Sequence, residues 1–85
     1  MDVLKSKTVT GVAGFSAVSS GGLSKAEIIA VHRQGMEMDY VTPLSLSTSN
    51  RAWSMFGVVK RIFFRSDTPF ASGGETIHII YKVTT

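Results

Sequence analysis

The chain has 85 residues, no cysteine, 44% apolar and 18% charged residues, and a formal net charge of +3. A chain of this length makes a single domain, residues 1–85, and a domain that small buries only about 60% of the surface its unfolded form exposes. Disulfides are excluded, a closed four-ligand zinc site lacks donors because His32 and His78 are the only imidazoles, and no run of five or more like charges marks a disordered basic tail.

The opening segment, MDVLKSKTVTGVAGFSAV, lacks the pattern of a signal peptide. Asp2 stands in the positive region, and Thr8, Thr10, Gly11 and Gly14 break the apolar stretch. The chain is therefore expected to be made in the cytoplasm. No stretch approaches the ~18 apolar residues needed to span a bilayer, so no membrane partner is expected. Thr8 to Val12 reads as a strand, Ala13-Gly14 as a turn, Phe15 to Val18 as a second short strand, and Ser19 to Gly22 as a loop.

Residues 24–35 support two readings. Ser24 and Glu27 have the spacing of a capping box, Leu23 and Ile28 stand at staple positions, and Gly35 follows as a C-terminal stop, which together predict a helix. A hairpin turning at Gln34-Gly35 instead pairs Arg33 with Met36, Val31 with Met38 and Ile29 with Tyr40. That register places Ile29, Val31, Met38 and Tyr40 on one face, and sets His32 opposite Glu37 on the other. The hairpin is preferred, because one register satisfies both strands at once.

RAWSMFGVVKRIFFRS reads as two short strands, about 51–56 and 58–65, with a tight turn, kink or bulge at Gly57. A helix over the same residues is disfavoured by the β-formers VV and IFF, and by the ~1 kcal/mol that a glycine costs inside a helix. SDTPFASGGE is a loop whose Phe70 is expected to fold back onto the core. In the last segment Ile77, Ile79, Tyr81 and Val83 alternate with Thr76, His78, Lys82 and Thr84, with Ile80 the apolar exception. This alternation predicts a half-buried antiparallel strand. The fold expected is all-β: a small antiparallel β-sandwich or barrel of six to seven short strands. The alternative is an α+β fold with one helix at about 24–35.

Catalytic chemistry finds little here. No serine lies in a G-x-S-x-G elbow. His32 with Glu37 or Asp39 reads as a cross-strand pair on a polar face. SSGGLSK and ASGGE match neither a phosphate loop nor a dinucleotide fingerprint. The chain is expected to be non-enzymatic, with no cofactor and no metal. Self-association is the remaining staple for so small and apolar a chain. Candidate contacts between copies are Trp53, Met55, Phe63 and Tyr81, with Arg61 and Arg65 meeting a neighbour or a negatively charged surface. The alternative is single-stranded nucleic-acid binding through Arg51, Lys60, Arg61, Phe63 and Arg65, because basic residues interleaved with aromatics suit a stacking groove. A small phage inhibitor of a host protein is a third reading, which needs no residue signature.

The order of features also resembles small β-sandwich modules of bacteriophage virion proteins. The residues concerned are Ala13-Gly14-Phe15, the Arg33-Gln34-Gly35 hairpin followed by Tyr40, Arg61 to Phe64, and the run from Pro69 to Lys82. The resemblance implies a structural or attachment role in a virus particle, as a capsid decoration, fibre or tail component. It implies symmetric assembly, often trimeric, with other virion proteins as partners, and it transfers no catalytic residues.

Overall fold

The computed structural model describes residues 1–56 and 59–84. Its seven strands are β1 (Asp2–Gly11), β2 (Ala17–Ser19), β3 (Ile28–Arg33), β4 (Met36–Tyr40), β5 (Ala52–Ser54), β6 (Arg61–Phe64) and β7 (Glu75–Thr84). Two 3-10 segments, Lys25–Glu27 and Pro43–Thr48, complete the elements. The strands form one sheet in the order β1-β7-β3-β4-β5-β6-β2, curled into half of a barrel. The fold is all-β, as the alternation predicts, but it is a single curled sheet and not two stacked ones. It is also mixed. β4 and β5 run parallel, Asp39 beside Ala52 and Tyr40 beside Trp53, while the other pairs among the described residues are antiparallel. A parallel pair needs a crossover, and the segment containing Pro43–Thr48 supplies it.

β7 organises the sheet. It pairs with β1 over ten residues, from Asp2 opposite Thr84 to Gly11 opposite Glu75, and with β3 on its other side. Its alternation works as predicted: Ile77 and Ile79 are fully buried, while Thr76 and His78 are exposed. Val31 of β3 and Ile62 of β6 join them at zero exposure, and Trp53, Phe64 and Phe70 close the core. Each such side chain contributes roughly 1.5–3 kcal/mol by leaving water. Phe70 does fold back, at 3% exposure.

Residues 28–40 form the hairpin and not the helix. Gln34 (φ 53°) and Gly35 (φ 77°) both adopt the left-handed conformation that a two-residue turn between twisted strands requires. Val31 pairs with Met38, His32 with Glu37 and Arg33 with Met36. The capping signal is real but short. The Glu27 carboxylate accepts hydrogen bonds from the Ser24 backbone N–H and hydroxyl, both at 2.9 Å, and caps a single 3-10 turn before Ile28 turns extended. Those two bonds hold the Glu27 carboxyl below its ordinary pKa, the backbone one foremost.

One detail of the predicted hairpin is corrected. A register shift between Ile28 and Ala30 turns Ile28 into the core and leaves Ile29 52% exposed, so Ile29 does not share a buried face with Val31. Tyr40 is exposed as well, with its ring edge-on to Trp53 at 5.0 Å. The N-terminal strand is longer than predicted and begins at Asp2. The second short strand is Ala17–Ser19, with Phe15 left exposed before it. The turn, kink or bulge expected at Gly57 lies outside the described residues, as does Val58.

Candidate functional site

Two surfaces stand out: the outer edge of β1 and a cleft at one end of the half-barrel. β1 is a terminal strand of the sheet. Among the described residues no strand pairs with its outer side. From Asp2 to Ser6 every residue is exposed, Val3 by 39% and Leu4 by 64%. The register places Val3, Lys5 and Lys7 on the face of Ile77 and Ile79, and Leu4 on the opposite face, diagonal to Ile80. Lys7 spans the gap toward β2: its Nζ donates to the Gly21 carbonyl at 3.2 Å and lies 5.3 Å from the centre of the Tyr81 ring.

The cleft, about 250 Å³ in volume, lies on the inner face of the β3–β4 hairpin. Met36 and Met38 form its apolar wall, and Arg33, Arg51, Arg65 and Asp67 bring charge to it. Arg33 lies at its base. Its Nε donates to Glu75 Oε2 at 2.8 Å, and its Nη2 donates to the Thr68 and Pro69 carbonyls at 2.7 and 3.2 Å. Its guanidinium also packs on the rings of Phe64 and Phe70, 5.0 and 4.8 Å from their centres. Glu75 also accepts from the Ala71 N–H and Gln34 Nε2. Its carboxyl is held below the ordinary range, first by the Arg33 hydrogen bond, and this outweighs the opposing effect of burial. Arg65 donates from Nη1 to Asn50 Oδ1 at 3.0 Å, and its Nε forms an ion pair with Asp67 Oδ1 at 3.0 Å. Arg51 is exposed with φ 52°, and its side chain makes no hydrogen bond or ion pair among the described residues.

The residues singled out by sequence fall in different places. Trp53 and Met55 are core residues, 2% and 6% exposed, with almost no area to offer a second copy. Trp53 lies on β5, all three residues of which are buried, and Met55 follows directly after it. Phe63 and Tyr81 are half-buried, and Phe63 packs edge-on to Phe56 at 4.6 Å. Arg61 is exposed, whereas Arg65 is committed to Asn50 and Asp67. Of the basic residues weighed for nucleic acid, Arg51 and Arg65 share the cleft while Lys60 and Arg61 do not line it. Arg61 and Arg65 stand about 13 Å apart along the extended chain. Arg33 and Glu75 were not legible as a pair: they lie 42 residues apart in sequence.

Among the described residues no group of three or more His, Asp or Glu side chains could hold a metal ion. No helix there is long and apolar enough to cross a membrane. The fold and its two surfaces define a small all-β protein of mixed sheet. No protein-family model matches the sequence, and no curated protein or solved structure matches it either.

Proposed function

We propose that this chain is a non-enzymatic structural or attachment component of a virus particle, a capsid decoration, fibre or tail part, that self-associates into a discrete homo-oligomer. The observation carrying this reading is the unpaired outer edge of β1, with Val3 and Leu4 exposed beside it. Free strand edges offer rows of unpaired N–H and C=O groups, and proteins pair, cover or charge them. Lys5 lies along this edge and opposes open-ended stacking, while Lys7 turns toward Gly21. Val3 and Leu4 supply apolar area for a closed contact between copies. The virion role rests on the resemblance of the sequence to phage β-modules.

Light scattering over a hundredfold range of concentration should report a fixed multiple of the chain mass. Val3→Lys with Leu4→Lys should raise the concentration needed for association by tenfold or more. A monomer at every concentration removes self-association from the reading. Mass spectrometry of purified particles tests the virion role, with several copies per particle expected.

A further inference from the structure

We infer that the cleft between the β3–β4 turn and the loops flanking β5 and β6 is a binding site for a sugar acid: one pyranose-sized ring bearing a single carboxylate. The inference goes beyond the assembly reading and does not depend on it, since the cleft lies on the inner face of the hairpin and not along β1.

Charge sets the class of ligand. Three guanidinium groups reach the cleft, and two carboxylates answer them. Glu75 neutralises Arg33 through a two-point contact, Nε to Oε2 at 2.8 Å and Nη2 to Oε1 at 3.4 Å. Asp67 answers Arg65. Among the described residues Arg51 is left as the uncompensated cation, so the site matches a monoanion. A phosphate dianion carries one charge more than Arg51 answers, and the excess would meet Asp67.

Preorganisation points to Arg51 as the anchor. A non-glycine residue in the left-handed region costs about 1–2 kcal/mol and is held only where its surroundings fix it. Here the Arg51 carbonyl accepts from the Asp39 N–H at 2.7 Å, which ties the strained residue to β4 while its side chain lines the cleft. A guanidinium fork pairs with a carboxylate through two parallel hydrogen bonds. The second terminal nitrogen of Arg65, Nη2, makes no hydrogen bond among the described residues and stands at the same cleft.

Size and polarity select the body. The volume of about 250 Å³ lies below the ~300–1,000 Å³ of sites for drug-sized molecules, and suits one ring. The wall of Met36 and Met38 offers an apolar, adaptable surface for the C–H face of a sugar. Asp67, Ser49 and Thr68 offer acceptors for ring hydroxyls. Among the described residues no aromatic side chain lines the cleft, so a nucleobase has no ring there to stack on.

The test is a titration of the full chain followed by NMR of the Met36 and Met38 methyl groups and backbone amides. The probes are D-glucuronate, D-glucose, inorganic phosphate, a uronic-acid tetrasaccharide and an oligothymidylate. Glucuronate should shift the Met36, Met38 and Asn50–Ala52 signals saturably, and glucose should not at equal concentration. Arg51→Ala should weaken glucuronate about tenfold or more, as expected for loss of a charged, forked contact. Arg51→Lys should recover part of it, and the amide spectrum of each variant reports that it is folded. A tetrasaccharide binding more tightly than the monomer identifies a polysaccharide as the source; equal affinity identifies a free sugar acid. Glucose or phosphate matching glucuronate, oligothymidylate shifting the same signals more strongly, or Arg51→Ala leaving affinity unchanged would each overturn the proposal.

Discussion

Arg33 lies at the end of β3 with its side chain on the core face, where an alkyl group would be the default. Its guanidinium is instead almost fully buried. It is paired with Glu75, bonded to two loop carbonyls, and packed against Phe64 and Phe70. Removing one partner of a buried ion pair strands the other without solvent, at a cost of about 3–5 kcal/mol. Arg33→Met should therefore cost about that much in urea unfolding, and more than Glu75→Gln. It also orphans the Thr68 and Pro69 carbonyls, whereas a glutamine still offers Arg33 an acceptor. The pair has a pH signature. The folded carboxyl of Glu75 is held below its ordinary 4.5, so its contribution to stability is complete above that value and is lost as pH falls through the lower folded value. Glu75→Gln should lose this part of the acid sensitivity and keep the part due to Glu27. An unchanged acid profile in the variant would remove the pair from the explanation. Sequence placed Arg33 opposite Met36 correctly, but Glu75 read only as part of a glycine-rich turn. Local spacing carries no trace of a contact made across the barrel end.

At the scale of elements, what was legible is what repeats every second residue. The alternation of β7 and the two-residue turn of the β3–β4 hairpin follow from side-chain period and left-handed turn geometry, both written locally. Three features were not. The bulge at Ile29 swaps which isoleucine enters the core, and II carries no mark of which one does. Asp2 to Lys7 has no amphipathic pattern and is a strand because β7 pairs with it along its whole length. The parallel pairing of β4 with β5 depends on how the crossover packs. The loop from Ser66 to Gly74 depends on contacts too. The Phe70 N–H donates to the Phe15 carbonyl at 2.7 Å, its own carbonyl accepts from the Gly14 N–H at 3.1 Å, and its ring lies directly over Gly11. A methyl group on Gly11 would stand 2.5 Å from that ring. Gly11→Ala should thus destabilise by about 1–3 kcal/mol through overpacking, read as a lowered thermal midpoint. Phe70→Leu, which trims the ring, should make the double variant less unstable than the sum of the two. Strict additivity would show that the ring is not what the glycine accommodates.

The whole molecule has a Cα radius of gyration of 12.3 Å and extents of 39 × 28 × 22 Å. A compact chain of this length is expected near 12 Å, so the sheet is closely folded but drawn out along one axis. The β1–β7 ribbon accounts for that axis, since ten extended residues span about 33 Å. Half a barrel leaves an edge that a closed barrel would not, and a small core makes any covering of that edge a large share of total stability. Sequence composition pointed toward self-association but placed Trp53 and Met55 at the contact. Large apolar groups in so small a chain are taken first by its own core, whereas Val3 and Leu4 on the edge strand stay exposed. If copies pair along β1, folding and association are linked, and the thermal midpoint rises with concentration. For a dimer, each tenfold increase adds about 1.4 kcal/mol per mole of dimer, or about 0.7 per chain, which for a domain of this size raises the midpoint by roughly 3–6 °C. Val3→Lys with Leu4→Lys should flatten that dependence and lower the midpoint toward a single value at all concentrations. A midpoint that stays constant over a hundredfold range in the unaltered chain would show that the half-barrel is stable alone, and that the edge of β1 is left to water.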